Sequence, residues 1–166
     1  MTEEILRSAM QIRQAQVGEA NELTQLAMQS KAHWNYTAEQ IQQWRAELTV
    51  PPDLIFAGNT YVGVIDNVIV AMMALIPAAM TWKLEYFFVS PAHMDQGIGK
   101  EMFQFAIDQA RDRGARAVTI DADPHAERFY LACGAIRSYT KAAPIADDSS
   151  RIRPQMLFLI PSKKRY

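Results

Sequence analysis

The chain has 166 residues, 49% of them apolar and 21% charged, with a formal net charge of −1. It is long enough for one well-buried core and short for two, and its balance lacks the positive excess that non-specific nucleic-acid binding needs; a single domain over residues 1–166 and no nucleic-acid partner are expected. The lone Cys133 excludes an intramolecular disulfide and any multi-cysteine metal site, no apolar run of ~18 residues occurs, and Glu3, Glu4 and Arg7 interrupt any signal-peptide core, so the expectation is a cytoplasmic chain without a membrane partner.

Residues 1–9 read as a tail. Gln11 to Ala15 reads as a first short strand, and residues 18–30 as a helix with Ala20, Leu23, Leu26, Ala27 and Ser30 on one face. His33-Trp34-Asn35-Tyr36 is a polar-aromatic link to a second helix, opened by Thr37 and Gln40 at capping-box spacing and continued by Ile41, Trp44, Arg45 and Leu48. Pro51-Pro52 ends it. Tyr61 to Ile65 and Val68 to Ile76 are rich in β-branched residues, and Asp66-Asn67 between them suits a two-residue hairpin turn.

Pro77-Ala78-Ala79 leads to a strand ending in Leu84-Glu85-Tyr86-Phe87-Phe88-Val89. Pro91-Ala92-His93-Met94-Asp95-Gln96-Gly97-Ile98-Gly99-Lys100 then opens an amphipathic helix with the stripe Ile98, Met102, Phe103, Ala106, Ile107 and Ala110, closed by Arg111, Arg113 and Gly114. A glycine-bearing turn that opens a helix is an anion site: the first N–H groups are unpaired, the positive end of the macrodipole lies there, and Gly97 and Gly99 admit close approach to the main chain. Phosphate fits such a site, although Gly-x-Gly after a strand also serves as an ordinary tight turn.

Ala117 to Ala122 is the next strand and Ala126 to Cys133 a short helix stopped by Gly134. Two last strands, Ala135 to Ala143 and Gln155 to Ile160, flank a polar loop from Asp147 to Arg153, and residues 161–166 form a basic tail. This order implies an α/β (α+β) fold with a mixed sheet of about six or seven strands and helices on both faces.

Glu85 sits among apolar strand residues, so its carboxylate either is partly desolvated, as suits a general base near neutral pH, or faces outward by strand alternation. Lys100 stands in a first helical turn, where a cation is disfavoured unless an anion binds there. Phe129 reads as core. Tyr130 lies on another side of the same helix and is either packed or a proton donor to a leaving thiolate. Cys133 reads as a small core thiol, and His33, His93 and His125 share no metal-ligand spacing, so no metal is expected.

The run from Leu84 to Ala135 resembles the core of the GNAT superfamily of acyl-CoA-dependent N-acetyltransferases. Val89-Ser90-Pro91 matches its strand end, Met94-Asp95-Gln96-Gly97-Ile98-Gly99 its pyrophosphate loop, and Asp123-Pro124-His125-Ala126-Glu127-Arg128-Phe129-Tyr130-Leu131-Ala132-Cys133-Gly134-Ala135 its later Asn-x-x-Ala-x-x-Phe-Tyr segment. The resemblance implies a mostly antiparallel central sheet flanked by helices, with acetyl-CoA as cosubstrate. Met94 and the amides around Gln96, Gly97, Ile98, Gly99 and Lys100 would then face the pyrophosphate, the main chain of Phe87, Phe88 and Val89 the pantetheine arm, and Asp123, Ala126 and Phe129 the other side of the cofactor. It further implies direct acetyl transfer to a primary amine in a ternary complex. In that scheme a strand N–H near Phe88 or Val89 steadies the oxyanion, Tyr130 is the acid, Glu85 is the base or a water-ordering carboxylate, and Cys133 carries no intermediate.

Three positions depart from the family pattern. Met94 replaces Gln or Arg and removes a polar contact that His93 or Gln96 could supply; Asp123 replaces Asn, exchanging an amide for a carboxylate that only accepts; Ala135 replaces Phe. The first two helices and their link form the acceptor wall in similar proteins, which makes His33, Trp34, Tyr36 and Trp44 candidates for contact with the amine of a small molecule or peptide, with Trp44 equally suited to the core beside Ile41 and Leu48. The competing expectation is a catalytically silent acyl-CoA-binding regulatory module. A homodimer is left open, and a dinucleotide-binding oxidoreductase fits poorly because Gly-x-Gly comes late, after a hairpin.

Overall fold

The computed structural model describes residues 8–162, so most of the expected signal-free start and both tails lie outside it. In chain order, strand β1 (Gln11–Gln14) precedes helix α1 (Ala20–Ala32) and three short helices, α2 (Ala38–Gln43), α3 (Arg45–Leu48) and α4 (Pro52–Phe56). Strands β2 (Thr60–Ile65), β3 (Val68–Ile76) and β4 (Thr81–Val89) lead to helix α5 (Ile98–Asp112), strand β5 (Ala117–Asp121), helix α6 (Glu127–Ala132) and strands β6 (Ile136–Ala142) and β7 (Ile152–Leu159). The strands make one seven-stranded sheet in the order β1-β2-β3-β4-β5-β7-β6. Every pairing is antiparallel except β4 with β5.

Both faces of the sheet are covered. Met102, Phe103, Ala106 and Ile107 of α5, with Tyr130 of α6, pack on Met73, Leu75, Leu84 and Val118, while Leu23 and Leu26 of α1 pack with Val62 and Met72 on the opposite face. Full burial of a side chain such as Leu23 stabilises the fold by roughly 1.5–3 kcal/mol, so the apolar stripes of α1 and α5, more than helix propensity, hold these helices in place. No described helix is long and apolar enough to cross a membrane.

The hairpin expected at Asp66-Asn67 is present, both residues taking the positive φ (49° and 63°) that its tight turn demands. Three local expectations need correction. The second helix breaks at Trp44 (φ −85°, ψ 0°), and Pro51-Pro52 does more than end it, because Pro52 starts α4 where its missing N–H costs nothing. The last strand begins at Ile152, inside the expected polar loop; Pro154 is tolerated there because it lies just past the final β5 pair, Asp121 with Gln155, where its carbonyl still accepts from the Ala122 N–H (3.0 Å) and a donor is not required of it. Arg151, assigned to that loop, is buried.

Two irregularities build the site. Strand β4 pairs with β5 from Thr81–Ala117 to Leu84–Ile120 and no farther, so the C-terminal halves of these parallel strands part. On its other side, Met72 pairs with Phe88 and Ala74 with Glu85, leaving Tyr86 and Phe87 opposite the single residue Met73. This β-bulge holds Tyr86 at φ 52° and shifts the alternation, sending Tyr86 and Phe88 to the α1 face and Phe87 to the α5 face.

Candidate functional site

The parted strands enclose a cleft of about 760 Å³. Its walls hold Glu85, Phe87, Phe88 and Val89 from β4, then Met94, Gly97, Ile98, Gly99 and Lys100 from the glycine turn and α5. Across from them stand Asp123, Ala126, Phe129 and Tyr130, and the α1 end contributes His33 and Trp34. Of the cofactor, catalytic and acceptor candidates singled out from the sequence, Gln96, Tyr36 and Trp44 are outside this lining.

Gly97 is the N-cap of α5 at φ 79°, a conformation that glycine adopts without steric cost. A side chain there would meet nothing within 4 Å, so the turn is open above it. The first intrahelical bond runs from the Glu101 N–H to the Gly97 carbonyl (3.1 Å), which leaves the amides of the first turn directed out of the helix mouth. Gly99 has a different role: a Cβ would come within 3.0 Å of the Phe129 ring, so its smallness lets α6 close on α5. A glycine cradle at a helix N-terminus beside an open strand edge fits a pyrophosphate followed by an extended arm. His93, one of the two residues that could replace the polar contact missing at Met94, lines the cleft, and its buried Nδ1 has no hydrogen-bond partner among the described residues.

Tyr130 is buried, edge-on to Phe87 and Phe103. Burial, with smaller contributions from Cys133 and Asp123, pushes its hydroxyl well above the ordinary tyrosine range, so it is protonated throughout the neutral range. It is not directed away from the Phe129 side as expected, because both rings pack against the α5 core. Burial also pushes the half-buried Cys133 thiol up, against a smaller opposing effect of Lys100.

Of the two readings of Glu85, the structure has the outward-facing one: strand alternation leaves it exposed on the cleft wall, as it does Lys83, while its apolar neighbours turn to the cores on either face.

Asp123, expected beside the cofactor arm, lines the cleft and is also the hub of an ionic cluster. One oxygen accepts from the His125 N–H (2.9 Å) and lies 2.8 Å from His125 Nδ1; the other meets Lys31 Nζ (2.5 Å), the Tyr36 hydroxyl (2.8 Å) and Arg151 (3.5 Å). Burial opposes its ionisation, but Lys31 and the converging hydrogen bonds outweigh it and hold the pKa down to about 2. Tyr36 therefore serves Asp123 rather than lining the cleft, and its hydroxyl also accepts from Arg151 (3.2 Å). Lys31 and Arg151 lie over the Trp44 ring at 4.9 and 5.1 Å. Trp34 stacks on His125, with ring centres 5.2 Å apart and planes 10° from parallel.

Lys31, His125 and Arg151 were not among the sequence candidates. The only local sign was Asp-x-His across a proline, the spacing of a side-chain-capped turn; Lys31 and Tyr36 lie 87 or more positions away along the chain, and Arg151 faces Asp123 from just before β7.

Comparison with known proteins agrees with this geometry. The acetyltransferase (GNAT) family model matches residues 20–135. Among solved structures, a GCN5-related N-acetyltransferase from Rhodopseudomonas palustris has a TM-score of 0.75 at 17% identity, covering 94% of this chain and 99% of its own. The PaiA N-acetyltransferase of Thermoplasma acidophilum, in complex with coenzyme A, scores 0.71 at 15% identity over 91% of this chain and 99% of its own. The putative acetyltransferase YncA of Salmonella typhimurium, with acetyl-CoA, scores 0.69 at 16% identity over 96% and 98%. The search of curated proteins found no match. With the family model spanning more than half its length and a mixed, mostly antiparallel sheet parted at β4 and β5, the chain belongs to the acetyltransferase (GNAT) family.

Proposed function

We propose that the whole chain works as one domain that moves an acetyl group from acetyl-CoA to a primary amine of a small molecule or peptide, by direct transfer in a ternary complex. The observation that carries this reading is the cleft itself: parted parallel strands, an open glycine turn at a helix N-terminus, and a protonated buried phenol share one cavity.

In this reading the amides of Ile98, Gly99 and Lys100 hold the pyrophosphate, and the Lys100 ammonium adds charge to the contact. The free edge of β4 over Phe87, Phe88 and Val89 bonds the pantetheine arm as a further strand would, and a strand N–H near Phe88 or Val89 donates to the developing oxyanion. Ala126 and Phe129 form the wall opposite. Tyr130 gives its proton to the departing thiolate, which needs a donor that is never ionised at working pH. The exposed Glu85 carboxylate draws the protonated acceptor into the cleft, and Trp34 and His33 offer it aromatic faces.

The test is a panel of amines, from alkyl diamines to amino acids and peptide N-termini, assayed for CoA release, alongside acetyl-CoA-induced thermal stabilisation. Turnover of any member supports the enzyme. Stabilisation by acetyl-CoA with no turnover across the panel supports the silent binding module, which Met94 and the diversion of Asp123 into an ion cluster mildly favour.

A further inference from the structure

His125 lines the same cleft as Tyr130, and its surroundings determine what its ring can do. Its Nδ1 edge is taken by Asp123 (2.8 Å) and the Tyr36 hydroxyl (3.3 Å), and one face is covered by Trp34. The side chain is nonetheless 41% exposed, so the opposite edge, which carries Nε2, is the part left open to the cleft. Lys31 at the end of α1 and Arg151 before β7 keep Asp123 ionised, with Tyr36 donating to it from the link. An ionised carboxylate only accepts, so in the neutral ring the proton sits on Nδ1 and the lone pair on Nε2. Other titratable groups around it are His33, which meets the edge of Trp34, Glu127, which is bound to Arg137, and Asp121, which lines the same cleft paired with Arg153 (3.0 Å).

We infer that His125 is the general base for the acceptor amine, with Asp123 as its positioning residue. The inference rests on the acetyl-transfer reading above. Nε2 takes a proton from the acceptor ammonium and frees the lone pair that attacks the thioester carbonyl carbon. The C–N bond forms, the C–S bond breaks with its electron pair on sulfur, and sulfur takes the Tyr130 proton. The second nitrogen proton passes through solvent to restore the phenol and the imidazolium releases its own, so one proton is freed per turnover. Glu85, exposed on the β4 wall of the cleft, then acts through charge and not as the base.

The experiment compares wild type, His125→Ala, His125→Gln and Glu85→Gln, using saturating acetyl-CoA and the best amine from the panel, across pH. Both histidine variants are expected to lose about 10²-fold in kcat together with the acidic limb of the pH-rate profile, while acetyl-CoA stabilises them as it does wild type. Added imidazole is expected to restore part of the activity of His125→Ala only. Wild-type rates in both histidine variants, a lost rate with the acidic limb intact, or loss of that limb in Glu85→Gln instead would each overturn the assignment. An active wild type with active histidine variants removes this inference alone; a wild type that acetylates no amine removes it together with the acetyl-transfer reading.

Discussion

The edge of the Phe129 ring lies where a side chain of residue 99 would have to be, 3.0 Å from a Cβ built on Gly99. Gly97, two residues earlier, has open space but a left-handed backbone. Alanine is therefore expected to destabilise both positions for different reasons. Gly99→Ala overpacks the α5–α6 contact, at about 1–3 kcal/mol, and Gly97→Ala strains the N-cap, at about 1–2 kcal/mol. Urea unfolding measures both losses, and a double substitution of Gly99→Ala with Phe129→Leu should recover part of the first and none of the second. Equal behaviour of the two positions in that background would disprove the distinction.

Tyr130→Phe keeps the packed ring and removes the proton. It is expected to leave acetyl-CoA stabilisation intact and to lower kcat by roughly 10- to 10²-fold, the smaller value applying because a thiolate is already a fair leaving group. Since burial raises the hydroxyl's pKa in the fold, its protonated form stabilises the protein fully below the unfolded value near 10, and that contribution falls as pH climbs beyond it. Wild type should therefore lose stability above about pH 10 more steeply than the phenylalanine variant, a difference that denaturant curves at pH 9 and 11 would show.

Asp123 is the counter-ion of two buried or half-buried cations. Asp123→Asn is expected to destabilise the protein by about 3 kcal/mol at pH 7, because Lys31 and Arg151 lose the carboxylate they share as counter-ion. The aspartate pKa is depressed in the fold, so its contribution is present above the unfolded value of about 4 and is lost as pH falls towards 2. The gap between variant and wild type should close over that interval, and a gap that persists at pH 2 would rule out ionisation as its source.

Glu85→Gln separates attraction from chemistry. Exposed on the cleft wall, the carboxylate is expected to affect acceptor capture, so the variant should raise KM for a cationic amine by roughly 3- to 10-fold with kcat little changed, and the effect should fade at high salt. A fall in kcat at constant KM would return Glu85 to the role of base.

What could be read from the sequence were features held by near neighbours. Asp66-Asn67 specifies its own turn, and the Ile98–Ala110 stripe specifies its own helix face. The glycine turn and Tyr130 were found from motif spacing. The misreadings came from contacts that no local pattern carries. Glu85 had two readings because its neighbours are apolar on both sides, and the bulge at Tyr86 and Phe87, which inserts one residue and shifts every later side chain, shows in no local pattern. Pro154 and two arginines disguised the start of β7, and the Asp123 cluster holds hydrogen bonds between residues up to 115 positions apart.

The sheet is in effect two antiparallel halves, β1–β4 and β5–β7–β6, joined along their seam by four residue pairs from Thr81–Ala117 to Leu84–Ile120. These pairs act as a fulcrum for the parted ends beyond them. A rotation about Trp82 and Val118 would be magnified at Val89, because β4 runs on beyond the last seam pair with only β3 at its side. The tolerance of the reaction to substitution should thus be set as much by the seam as by the groups that touch substrate: a tightly packed Trp82, clamped by the Arg113 guanidinium 4.7 Å from its ring, holds the jaws at one width from outside the cleft.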